Sequence, residues 1–234
     1  MKGRQLDHLG IRVELVGMIQ GVYDQKLQSQ FLSLIRDLEP PGSLNDNVSY
    51  DFQFGRVDKQ FQSYNGSQVK LRSYGKITKE EDFVVEHLQL EPDANPKIQM
   101  EVGIEDYLLI GFEFLKSKFH IKDCIEGRIT FIQIKLRIKH MELSIIKKET
   151  INTSNNQQSV ETETLSKFEI MDGGSIKGEN VPVRFYLSST KLTPTYRNVN
   201  NKFSVKYQMM INVIDDEDRR YFRYQDIELW RKKI

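Results

Sequence analysis

A fold built almost wholly of β-strands, with one short helix, is what this 234-residue sequence predicts. Three observations carry that reading. Most segments alternate apolar and polar residues with period two, turn-rich pieces separate them, and only one segment repeats its apolar residues at helical spacing. Length alone leaves one large β domain or two modest ones open.

In chain order, "GIRVELVG" (10–17) sets Ile11, Val13 and Leu15 on one face of a half-buried strand. The exception follows. In "QKLQSQFLSLIRDLEPPG" (25–42), Leu27, Phe31, Leu34, Ile35 and Leu38 recur at i, i+4, i+7, i+8 and i+11 before Pro40 and Pro41, which predicts an amphipathic helix. The run Arg128 to His140 reads as one long strand, with Ile132, Ile134, Leu136 and Ile138 on a core face and Gln133, Lys135, Arg137 and Lys139 on a wet, basic one. The polar stretch "TINTSNNQQSVETETLS" (150–166) reads as a long mobile loop between strands. "NVPVRFYL" (180–187) returns to alternation, with Val181, Val183, Phe185 and Leu187 on one face. Turns are expected at "EPPG" (39–42), "YNGS" (64–67), "MDGG" (171–174) and "DDEDRR" (215–220), spaced as in a sandwich.

Lysine and arginine total 34 against 33 acidic residues, a formal charge of +1, so no global field draws nucleic acid or an acidic membrane. Any partner is recognised locally. The lone Cys124 rules out an internal disulfide and a multi-cysteine metal site, and with no apolar leader the expected compartment is the reducing cytosol. The longest apolar stretch, "YLLIGFEFL" (107–115), is interrupted by Glu113 and falls well short of the ~20 residues that span a bilayer.

Catalytic patterns are not evident. In "EIMDGGSIKGENVPV" (169–183), Gly173 and Gly178 stand at the interval that opens a phosphate-binding loop, but Glu179 and Asn180 occupy the positions of its lysine and hydroxyl residue. A carboxylate there repels phosphate. Ile170 and Met171 are consecutive apolar residues, so one of them points outward or lies at a turn; from the residues alone a packed loop is favoured. "GGSIKG" has one residue too many for a nucleophile elbow. His8, His87, His120 and His140 lack metal-ligand spacing, and the acidic clusters "KEED" and "DDED" read as solvated loop tips. A binding module is favoured over an enzyme, and no cofactor is expected. The C-terminal "RRYFRYQDIELWRKK" mixes cations and aromatics, yet reads better as a closing strand than as a nucleic-acid platform.

The motifs "MEVGIED" (100–106), "KFHIKDCIEGRI" (118–129), "EIMDGGSIKGENVPV", "NKFSVKY" (201–207), "DEDRRYF" (216–222) and "ELWRK" (228–232) together resemble the arrestin-like subunit of retromer, the vacuolar protein sorting-associated protein twenty-six family. The resemblance runs from about "QLDHLGIRVELVG" to the end, in the same order. It implies two arrestin-like β-sandwiches, residues 1–114 and 115–234, in a cytosolic, non-catalytic subunit peripheral to endosomal membranes. Such a subunit binds the α-solenoid scaffold of retromer and works with sorting nexins to select transmembrane cargo for return to the Golgi or plasma membrane.

Residue by residue, the resemblance assigns Ile170 and Met171 to the scaffold contact. Lys135 joins them, where the family has arginine, although Gln133 replaces the family's neighbouring leucine. It further assigns Val102 and Phe222 to an apolar cargo pocket at the junction of the two domains, and Leu88 to contact with a sorting nexin. The family has several strands before its H-x-G-I-R-x-E motif, so the first sandwich is expected to lack N-terminal strands, as a fragment, a short gene model or a divergent paralogue would. The alternative is a generic arrestin-domain trafficking adaptor outside retromer; such adaptors carry P-P-x-Y motifs, and none occurs here.

Overall fold

The protein is described from a computed structural model over residues 6–44, 48–58, 60–76, 80–104, 106–153, 155 and 157–232. Its strands in order are β1 Leu6–His8, β2 Ile11–Gly21, β3 Gln28–Glu39, β4 Gly42–Leu44, β5 Tyr64–Asn65, β6 Val69–Lys76, β7 Glu80–Phe83, β8 Ile98–Ile104 and β9 Leu108–Phe114. They continue as β10 Lys118–His120, β11 Cys124–Ile134, β12 Ile138–Asn152, β13 Gln158–Asp172, β14 Asn180–Tyr186, β15 Tyr196–Val199, β16 Phe203–Asp215 and β17 Arg220–Trp230. One 3₁₀ turn, Leu187–Ser189, is the only helical element among the described residues. None of their helices is long and apolar enough to cross a membrane.

The predicted helix is strand β3. It pairs antiparallel with β2 along its length, Gln20 opposite Gln28 and Ile11 opposite Glu39, with register shifts at Ile11/Arg12 and Gly17/Met18. Those shifts put apolar residues of both parities against neighbours, which mimics helical spacing in the sequence. Gly17 leaves the space in which the Phe31 ring sits: a Cβ there would lie 2.5 Å from the ring. Pairing along a whole strand outweighs a local apolar pattern.

The chain divides into two compact units, residues 1–87 with 152–157, and residues 88–151 with 158–234. This grouping differs from the 114/115 division implied by the resemblance, because β8 and β9 pair with each other and β9 with β11. The first unit holds the sheet β3-β2-β6-β5, with β7 also on β6, and the ribbon β1-β4. One face of that sheet is covered by irregular chain between β4 and β5, where Phe61 meets Phe31 edge-on at 5.1 Å and the Gln53 carbonyl accepts from Arg36 at 2.6 Å. An apolar cavity of about 140 Å³ remains, lined by Leu15, Phe31, Leu32, Val57, Phe61, Phe83 and Val85 among others.

The second unit is a sandwich of two sheets, β14-β11-β9-β8 and β10-β17-β16-β12-β13, with β15 also on β16. Alternation explains its core. In β9, Leu108, Ile110, Phe112 and Phe114 are buried in every second position, and in β16 Phe203, Val205, Tyr207, Met209, Ile211 and Val213 are. Phe168 of β13 meets Phe185 of β14 at 5.7 Å, linking the sheets. Each fully buried side chain of this size contributes roughly 1.5–3 kcal/mol.

Two further expectations are corrected here. The stretch read as a long loop is mostly strand: β12 runs to Asn152 and β13 starts at Gln158. Glu161, Thr162, Glu163 and Thr164 are all exposed because β13 is the edge of its sheet, so no core alternation marks it. The strand expected over 128–140 is broken into β11 and β12 by a bend at Lys135 and Leu136. A bulge between Phe131 and Gln133 reverses the parity, so Phe131 is fully buried while Ile132 is 41% exposed.

Candidate functional site

The segment containing Ile170 and Met171 is the last turn of the pleat of β13, and both side chains are half-buried. The chain then reverses. Gly173 at φ 107° and Gly178 at φ 86° adopt the left-handed backbone that glycine takes without strain. Nothing lies within 4 Å of a Cβ built at either, so conformation and not space selects glycine there.

Backbone hydrogen bonds hold both ends of this loop. The Gly173 amide donates to the Lys139 carbonyl at 2.9 Å, and the Gly178 amide donates to the Phe131 carbonyl at 2.7 Å. Glu179 closes the tip: its carboxylate accepts from the Ile176 amide at 3.1 Å and its own amide donates to the Ile176 carbonyl at 3.0 Å. The carboxylate that excluded a phosphate therefore has a structural task. Ile176, 76% exposed at the tip, was not singled out by the sequence, although a lone isoleucine among glycines, serine and lysine is a visible signal.

Lys135 lies in the bend between Phe131 and Lys139, the two residues to which the loop is tied. Its amide donates to the Tyr107 carbonyl at 2.7 Å and its ammonium sits 5.9 Å from the centre of the Tyr107 ring. Gln133 reaches the Asp106 carbonyl at 2.7 Å. The β8–β9 turn, the β11–β12 bend and the β13–β14 loop are thus gathered at one end of the four-stranded sheet, with Tyr107 (55% exposed) and Ile176 as apolar outposts.

The acidic turn does not fit its reading as a solvated tip throughout. Asp215 is 1% exposed, and its carboxylate accepts from the amides of Glu217 and Arg219, from Arg219 Nε at 2.7 Å and from the Tyr221 hydroxyl at 2.8 Å. Burial alone would raise its pKa; the side-chain bonds from Arg219 and Tyr221, then those from the amides, outweigh it and hold the group at about 2. Asp218 pairs with Lys139 at 2.6 Å, and that hydrogen bond raises the lysine above its ordinary value.

The remaining sequence candidates lie outside this loop cluster. Val102 is buried in β8, opposite Ile110 of β9, and β8 is an edge strand. Phe222 is 59% exposed on β17, its ring 5.7 Å from that of Tyr224. The two belong to different sheets, whose strands β8 and β17 contact one another. Leu88 is exposed, beside Gln89, whose amide donates to the Arg231 carbonyl at 2.8 Å.

The family profile described as Vps26, vacuolar protein sorting-associated protein 26, matches residues 1–218. The chain is similar to vacuolar protein sorting-associated protein 26 of Plasmodium falciparum, with 49% identity covering 99% of this chain and 81% of the relative. It is 45% identical to the protein of that name from Dictyostelium discoideum, covering 100% of this chain and 69% of the relative. Against vacuolar protein sorting-associated protein 26B of Homo sapiens it is 45% identical, covering 98% of this chain and 70% of the relative.

Proposed function

The chain belongs to the Vps26 family of vacuolar protein sorting-associated proteins, and from that premise we propose that it is a non-catalytic retromer subunit which docks on the α-solenoid scaffold through Ile170, Met171 and Lys135. With sorting nexins it helps select transmembrane cargo for retrieval from endosomes, to which it attaches peripherally through the complex.

The observation that carries the scaffold contact is the loop cluster at one end of the four-stranded sheet. Backbone ties to Phe131 and Lys139 bracket the bend that bears Lys135, so an apolar group and a cation are presented together on a constrained frame. Little loop ordering is then left to oppose binding. Ile170 and Met171 are only half-buried, and Ile176 on the following loop and Tyr107 on the β8–β9 turn are exposed apolar side chains of the same cluster.

For cargo, β8 offers an unpaired strand edge among the described residues, the feature that an extended tail peptide uses to add a strand. Val102 lies inward on that strand and would shape a pocket from behind, while the exposed Phe222 ring is free to touch an aliphatic side chain. Leu88 is exposed where a sorting nexin would meet it.

The test is a pull-down with the retromer scaffold subunit of the same organism, comparing wild type with Ile170→Asp/Met171→Asn, each checked for folding. Capture of wild type and loss with the folded variant supports the reading. A folded wild type that captures no scaffold overturns it and leaves an adaptor role outside retromer.

A further inference from the structure

We propose that Asp215 is a positioning residue for the loop that follows Ile170 and Met171, with the acidic turn between β16 and β17 serving as its brace. The inference rests on the reading of that loop as the scaffold contact. It assigns the turn no ligand.

The connection can be followed atom by atom. The Asp215 carboxylate, out of contact with water, gathers Arg219 Nε, the Tyr221 hydroxyl and two backbone amides, so the turn closes around one buried charge. Two backbone bonds complete it: the Asp218 amide donates to the Asp215 carbonyl at 3.0 Å, and the Asp215 amide donates to the Arg219 carbonyl at 3.1 Å. The closed turn forces Asp218 to φ 60°, an uncommon conformation for a residue with a side chain.

From this knot two arms reach the β11–β12 bend. The Asp216 amide donates to the Arg137 carbonyl at 3.1 Å, with the Arg137 guanidinium 3.7 Å from the Asp216 carboxylate. The Asp218 carboxylate takes the Lys139 ammonium at 2.6 Å. Lys139 is the residue whose carbonyl accepts the Gly173 amide, two positions beyond Met171. A buried carboxylate is thereby coupled, through a turn and one strand residue, to the backbone that orients the apolar pair.

The arms differ in strength. An exposed ion pair such as Lys139–Asp218 contributes little by itself, whereas removing the buried charge leaves several donors unmet. Asp215 is therefore the residue on which the brace depends.

The test combines amide hydrogen exchange with scaffold affinity, using the full chain. In Asp215→Asn, exchange at Gly173 should quicken about tenfold and scaffold binding weaken by a similar factor, while Trp230 fluorescence still reports a folded second unit. Unchanged exchange at Gly173 in that folded variant overturns the proposal. If Asp215→Asn does not fold, Asp218→Lys and the exchanged pair Lys139→Asp/Asp218→Lys decide. The single reversal should quicken exchange about twofold and the exchanged pair restore it. Absence of either effect overturns the brace. Should wild type capture no scaffold at all, the functional reading fails, and the exchange measurements judge the brace alone.

Discussion

The two units solve the same problem, burying one face of a β-sheet, in different ways. The second covers a sheet with another sheet, and its interior holds fully buried Phe112, Phe114, Phe119, Phe131 and Phe203. The first covers its five-stranded sheet with irregular chain. Among the described residues its buried apolar side chains are Val13, Leu15, Val16, Ile19, Leu27, Tyr64, Val69 and Leu71, while Ile35, Phe52 and Phe83 stay 44–55% exposed. A second layer of strands interdigitates at pleat spacing; irregular chain does not, and a cavity remains. What differs is the packing of the cover more than the sheet beneath it.

The largest expected effect tests that contrast in the cores. Phe112→Ala should cost about 3–5 kcal/mol, because the ring is fully buried between well-filled neighbours. Phe31→Ala removes a half-buried ring that already borders a cavity, and about 1–2 kcal/mol is expected. Denaturant unfolding followed by the lone tryptophan, Trp230, which is buried in the second unit, reports the first value; far-ultraviolet circular dichroism adds the second. Equal costs would break the comparison.

A sharper version uses two glycines that face phenylalanine rings. A Cβ at Gly127 would lie 2.5 Å from the Phe114 ring and 2.6 Å from the Glu113 carbonyl oxygen, and neither has room to retreat. At Gly17 the nearest atoms belong to the Phe31 ring, also at 2.5 Å, but that ring lines the cavity. Gly127→Ala should therefore cost about 2–3 kcal/mol and Gly17→Ala about 1 kcal/mol or less, measured as shifts in denaturation midpoint. A larger loss at Gly17 would show that the cavity gives Phe31 no freedom.

The same contrast governs what could be read from the sequence. Strands of the second unit were legible where one face is core and the other wet, as in "NVPVRFYL", because the pleat imposes period two. Strand β3 was not: the register shift at Phe31 lets Phe31 and Leu34, of opposite parity, both be half-buried, and the solvent-exposed Ile35 completes an apparent helical spacing. Strand β13 was hidden for the opposite reason, since an edge strand with solvent on both faces over Glu161–Thr164 has no apolar signal to give. Within the candidate site, Ile170, Met171 and the turning glycines stood out in the sequence, and the motifs around them supplied the resemblance. Asp215 was not recognisable as a buried group, because its neighbours Asp216, Glu217 and Asp218 are all exposed and only three-dimensional closure separates it from them.

Acid should narrow the gap between the units by weakening the better packed one. Asp215 is held at about 2, below its ordinary 3.8, so its charged form stabilises the folded state. That contribution is complete above about pH 4 and is lost as pH falls from about 4 to about 2, a change on the order of 2 kcal/mol. The Trp230-reported midpoint should drop through that window in wild type and drop less in Asp215→Asn. Parallel curves for the two proteins would remove Asp215 as the cause.

The smallest effect is expected from filling the cavity of the first unit. Val57 and Val85 both line it, and at about 140 Å³ it has room for an added methylene without displacing Phe31 or Phe61. Val57→Ile or Val85→Ile should raise the first unit's stability by about 0.5–1 kcal/mol, seen in circular dichroism, and leave the Trp230-reported transition unmoved. The gain stays small because irregular chain over the cavity can shift to meet a new methyl group, whereas facing strands could not. If either substitution instead destabilises, the cover is as tightly packed as the second unit's sheet, and the difference between the two units lies in how many strands they have and no longer in how well they are filled.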